Sequence, residues 1–84
     1  MSPSSRRVTV LWFAVLRERR GLRSELLETA ATTPAELYAE LSARHSLGLE
    51  QRLVRVAIDG AFSTMEARLM DGVEVAFIPP VAGG

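Results

Sequence analysis

Thr33-Pro34-Ala35-Glu36 fixes a helix start near the middle of the chain, and no other stretch constrains the fold as much. A threonine hydroxyl accepts from the free N–H groups of a first helical turn, and proline suits the first helical position because an N–H there would have no partner. A glutamate three residues after the cap completes a capping box. The spacing predicts a helix to about Ser46 that buries Leu37, Leu41 and either Tyr38 or Ala39, with Glu36, Glu40 and Arg44 toward water.

On both sides of this helix the apolar residues recur with a period of two. Before it, Val8 to Ala14 reads as a strand with Val8, Val10 and Trp12 on the core face and Thr9, Leu11 and Phe13 on the other. Residues 17 to 23 read as a charged turn pivoting on Gly21. A second strand follows at Ser24 to Thr29, where Leu26-Leu27 breaks the alternation and also admits a helix. After the helix, Leu47 to Gln51 connects to a strand at Leu53 to Ile58, with Val54, Val56 and Ile58 inward and Arg55 and Ala57 outward. Asp59-Gly60 is a hairpin turn leading into a short strand at Ala61 to Thr64. Asp71-Gly72 is a second turn, after which Val73, Val75 and Phe77 face the core and Glu74, Ala76 and Ile78 face out. The order describes a small α+β domain, one main helix packed on one face of a mixed sheet, with the first and last strands suited to its centre. Its uncovered face carries Phe13 and Ile78, joined by Leu11 and Phe62. An apolar patch of that kind marks a partner surface.

Composition excludes several functions. The formal net charge is zero, so no basic field points to nucleic acid. There is no cysteine, which removes disulfides, thiolate chemistry and cysteine-bound zinc, and the single histidine, His45, reads as a helix-end residue. No metal-ligand cluster and no glycine-rich phosphate loop is visible, so the chain is not expected to be an enzyme by itself or to hold a cofactor. All ten basic residues are arginine; the chain offers no side-chain amine for an isopeptide bond to a second copy, although a bias toward arginine accounts for the same fact. Met1 to Arg7 reads as a disordered leader. Arg6-Arg7 followed by Val8 to Leu16 has the look of a secretory signal, but the run is too short to span a membrane and ends in Arg17-Glu18-Arg19-Arg20 with no small-residue cleavage site. A cytoplasmic protein with no membrane partner is expected.

The remaining stretch is the end, Pro79-Pro80-Val81-Ala82-Gly83-Gly84. Two prolines stiffen the exit from the last strand, and beyond them the side chains shrink until the chain fits a channel too narrow for other residues. Fully extended, such a tail spans roughly 20 Å and carries the Gly84 carboxylate into a partner's site. The residues 8–78 form the domain and 79–84 its extended tail.

Trp12-Phe13-Ala14 followed by Arg17-Glu18, the strand and turn Val56 to Gly60, and above all Leu69 to Gly84 (LMDGVEVAFIPPVAGG) resemble the small subunit of molybdopterin synthase. This is the MoaD-type group of sulfur carriers in the ubiquitin-like β-grasp superfamily. The resemblance implies that an ubiquitin-activating-like enzyme adenylates the Gly84 carboxylate with ATP, and that a sulfur donor then converts it to a thiocarboxylate. It further implies that Pro79, Pro80, Val81, Ala82 and Gly83 thread into a large, MoaE-type subunit, where the sulfur passes to cyclic pyranopterin monophosphate to build the dithiolene. The family's apolar partner surface falls on Phe13, Phe62 and Ile78, with Ile78 where an aromatic is commoner and Asp59 where asparagine usually follows the strand. Two other readings compete. One is a carrier serving thiamine synthesis, tRNA thiolation or protein conjugation; the other is a β-grasp interaction module whose tail does nothing covalent.

Overall fold

The computed structural model describes residues 5–81, which form five strands and two α-helices. In chain order these are β1 (Arg6–Trp12), α1 (Ala14–Arg20), β2 (Ser24–Thr29), α2 (Pro34–His45), β3 (Arg55–Ile58), β4 (Ala61–Ser63) and β5 (Glu74–Ile78). The strands form one mixed sheet in the order β2-β1-β5-β3-β4, with β1 and β5 parallel and the other neighbours antiparallel. The first and last strands thus lie in its interior, as their apolar content predicts, and the architecture is the expected ubiquitin-like β-grasp.

α2 begins as its sequence dictates. The Thr33 hydroxyl accepts from the Glu36 N–H at 3.2 Å, and Pro34 occupies the first turn. The Glu36 carboxylate reaches one residue further back than a standard capping box, accepting from both the N–H and the hydroxyl of Thr32 at 2.7 and 3.0 Å. These two bonds hold the Glu36 carboxyl below its ordinary pKa. The helix ends at His45, with Ser46 in the left-handed region. Of the two alternatives for its third core position, Tyr38 is buried and Ala39 is exposed.

The core fills the space between α2 and one sheet face. Val8, Val10 and Trp12 from β1 meet Val75 and Phe77 from β5, Val56 from β3 and Leu37, Tyr38 and Leu41 from α2. Phe77 sits between two aromatics, with centroids 5.5 Å from Trp12 and 5.2 Å from Tyr38, and the Tyr38 hydroxyl donates to the Leu49 carbonyl at 2.7 Å. Complete burial of such side chains contributes roughly 1.5–3 kcal/mol each. Between Ile58 and Ala61 the chain reverses through Asp59 and Gly60, both at positive φ, which is the two-residue hairpin read from the sequence. The Asp59 carboxylate also accepts from the Glu74 N–H at 2.9 Å, tying this turn to the start of β5.

Four expectations need correction. β1 starts at Arg6, inside the stretch assigned to a disordered leader, because the Arg7 N–H donates to the Asp71 carboxylate at 2.7 Å and the Arg7 carbonyl accepts from Gly72 at 2.7 Å. The strand stops at Trp12 instead of Ala14, and Ala14–Arg20 forms a helix that takes in the first part of the turn expected at 17 to 23. Leu53 belongs to a 3-10 turn at Gln51–Leu53, so β3 is shorter than its apolar run. Ala57 and Ala76 lie on the outer face as predicted but are buried, since their methyl groups are flanked in the same row by Leu11 and Phe62. Ser24–Thr29, by contrast, is the strand expected and not the helix its broken alternation also admitted, with Leu27 packed on the core and Leu26 exposed on the other face.

Replacing Thr33 with alanine removes the cap and leaves the Glu36 N–H without its partner; urea denaturation is expected to show a loss of about 1 kcal/mol. An unchanged midpoint and slope would show that the Glu36 bonds to Thr32 suffice to start the helix.

Candidate functional site

Parallel pairing sets Trp12 beside Phe77, so β1 and β5 end together at one edge of the domain. From there the chain leaves in two directions. After β1 it turns back into α1, and after β5 it passes through Pro79 and Pro80. Phe13 is the residue before α1, and Ala14 adopts a left-handed φ of 50°, a conformation that costs a residue with a Cβ roughly 1–2 kcal/mol. The outcome is an open apolar cleft of about 490 Å³ walled by Phe13 and Val15 on one side and Ile78, Pro79 and Pro80 on the other, with Glu18 as its charged rim.

α1 was missed because its apolar first turn, Ala14-Val15-Leu16, prolongs the apolar run of β1. The signal that marks it is Gly21 directly after Arg17-Glu18-Arg19-Arg20: a glycine at φ 80° whose N–H donates to the Arg17 carbonyl at 2.8 Å, a helix C-terminus preceded by basic residues. The helix is held at both ends. Leu16 is fully buried in the core. Near its C-terminus, Arg20 donates to both oxygens of Glu25 at 2.7 and 2.8 Å, and Glu25 also accepts from the Trp12 indole at 2.8 Å. Burial pushes the Glu25 pKa up, but the bonds from Arg20 and Trp12 outweigh it and leave the carboxyl below its ordinary value.

The predicted partner-surface residues are placed as follows. Phe13 is 37% exposed and Phe62 is 70% exposed. Ile78, expected to be exposed, is half-buried, because it forms a wall of the cleft across from α1. Phe13 and Ile78 therefore meet at one site. Phe62 shares their sheet face without joining the cleft; it ends a cross-strand row of Leu11, Ala76, Ala57 and Phe62. Pro79, assigned to the projecting tail, is buried, and exposure begins with Pro80 and Val81. Ala82, Gly83 and Gly84, which include the expected reactive end, lie outside the described residues. Among the described residues no group of three His, Asp or Glu side chains is placed to hold a metal ion, and no helix is long and apolar enough to cross a membrane.

The sequence pattern of the ThiS family matches residues 10–84, from the middle of β1 to the final glycine. The chain belongs to this family. Its relatives include the molybdopterin synthase sulfur carrier subunits of Escherichia coli, 37% identical over 82 residues, and of Haemophilus influenzae, 35% identical over 80 residues; each alignment covers 92% of this chain and 99% of the relative. Among solved structures, the Haloferax volcanii protein SAMP1 superposes with a TM-score of 0.74 at 25% identity, covering 93% of this chain and 99% of that one. A Helicobacter pylori complex of subunits 1 and 2 of the molybdopterin-converting factor contains a chain that matches with a TM-score of 0.61 at 25% identity, covering 93% and 99% respectively.

The Glu25 network makes a signed prediction about pH. A carboxyl whose pKa is lowered by folding adds stability above its unfolded pKa and loses it as pH falls through the folded value. Glu25→Gln is therefore expected to be less stable than the parent near pH 7, with the gap closing below about pH 4 as the parent's carboxylate is protonated. Parallel stability curves over that range would contradict the assignment.

Proposed function

We propose that this chain is the sulfur-carrier subunit of a molybdopterin synthase. The observation that carries the reading is the near full-length similarity to two carrier subunits of that enzyme, in a chain whose last strand delivers its tail beside an apolar surface. In this reading the Gly84 carboxylate oxygen attacks the α-phosphorus of ATP on an ubiquitin-activating-like enzyme and pyrophosphate leaves. Sulfide-level sulfur delivered by a sulfur donor then attacks the acyl carbon, the acyl–phosphate bond breaks, AMP departs, and a terminal thiocarboxylate remains. A carboxylate is a poor acyl donor, and adenylation supplies its leaving group. The acyl sulfide in turn holds a nucleophilic sulfur on a chain with no cysteine.

The tail then enters a large, MoaE-type subunit, with Pro79 as its anchored base and Pro80 to Gly83 as the thread, and the sulfur passes to cyclic pyranopterin monophosphate. Catalytic side chains and the ATP site belong to the partners, the carrier binds no cofactor of its own, and the encounter takes place in the cytoplasm. A partner of this kind is supported by the Helicobacter pylori neighbour, which was solved as a two-subunit complex. A carrier for thiamine synthesis or tRNA thiolation shares the activation chemistry and differs only in the client; the two curated relatives favour the molybdopterin client.

Two experiments test the reading. Appending one residue after Gly84 moves the carboxylate out of register and is expected to abolish ATP-dependent activation, whereas a non-covalent interaction module tolerates the addition. Phe62→Ala removes an exposed ring with little packing to lose, and Phe13→Ala opens the cleft. Each is expected to weaken binding of the large subunit by roughly 1–3 kcal/mol while the domain stays folded. Equal affinity by titration calorimetry would remove these residues from the interface.

A further inference from the structure

The Phe13 ring lines the cleft at the point where β1 gives way to α1. It precedes a seven-residue helix, has no side-chain cap, and is followed by Ala14 in the left-handed region. The backbone is fixed by the N–H groups of Leu16 and Arg17, which donate to the Phe13 carbonyl at 3.1 and 3.3 Å, and one side chain reaches the ring: Arg17 donates its Nε to the Trp12 carbonyl at 3.1 Å, and its guanidinium lies 5.7 Å from the centre of the Phe13 ring. The planar group is thus tied at one edge to the last residue of β1 while its carbon end covers the ring. Arg20, one helical turn on, is fixed to Glu25, so the helix that carries Arg17 is itself anchored to β2.

We propose that Arg17 is a positioning residue for partner binding: it clamps Phe13 in the docking orientation and contributes to affinity through that ring, not by a contact of its own with the partner. The inference rests on the reading that the Phe13 side of the domain meets the large synthase subunit. A ring held in place before docking loses less side-chain freedom on binding, and that difference appears as affinity. A cation against an aromatic face at a partly exposed site supports an effect of about two- to fivefold, and the bond to the Trp12 carbonyl adds to it.

The test is a double-mutant cycle read as dissociation constants for the large synthase subunit of the same organism, with thermal unfolding of every variant alongside. Arg17→Ala is expected to weaken binding about threefold or more in the parent and to have no further effect in a Phe13→Ala background. Arg17→Lys keeps the charge but lacks the planar, forked group, and is expected to remain weakened. The proposal is overturned if Arg17→Ala binds like the parent, if it weakens binding equally with and without Phe13, or if Arg17→Lys restores full affinity, since each of the last two marks a direct charge contact with the partner. Should Arg17→Ala unfold, the Lys variant against Phe13→Ala decides in the same way. Failure of the unmodified chain to bind the large subunit at all would instead strike the underlying reading.

Discussion

The parallel ladder between β1 and β5 forces the first and last strands to finish at the same edge of the sheet, and the site follows from that. Trp12 and Phe77 pair across it, with the Phe77 ring packed between Trp12 and Tyr38, and hold the two strand ends in register. What emerges beyond Trp12 and beyond Phe77 must then be adjacent: Phe13 with its helix, and Ile78 with the prolines. A slip of one residue in this pairing would turn Phe77 outward and Ile78 inward, exchanging the core face and the outer face.

Around that edge the chain is stiff where a carrier needs stiffness. Pro79 is buried as the base of the tail, and its ring fixes the direction in which Pro80 and Val81 leave. On the other side α1 is held by the Arg20–Glu25 pair and the Trp12 indole bond, so the opposing wall of the cleft has a defined position. In the proposed function the domain's contribution is geometric: a terminal group and a shaped apolar surface offered to proteins that carry the chemistry.

Much of this is legible in the sequence because local rules agree with the global arrangement. The Thr33 cap, the Asp59-Gly60 hairpin and the alternation of Val54, Val56 and Ile58 each specify their element without tertiary context. The tail motif and Trp12-Phe13-Ala14 point to the family. α1 was hidden because one apolar run serves two elements: its first half pairs in β1 and its second half coils, and only the positive φ at Ala14 separates them. Phe13 is exposed, as its parity predicts, but its position follows also from lying past the end of the strand, directly before α1. The burial of Ile78 and Pro79 is not legible locally, because nothing in the sequence around them announces that the chain after β1 will form the facing wall of a cleft.

The central claim is that the end of this chain carries sulfur, and the intact mass of the protein purified from its native host tests it most directly. Cells supplied with sulfur and molybdate are expected to yield a population about 16 Da heavier, the difference between oxygen and sulfur, with the added mass confined to the C-terminal peptide. A mass that stays unmodified, even after incubation with ATP, a sulfur donor and the adenylating enzyme, would contradict the claim and leave a domain that binds its partners without covalent chemistry.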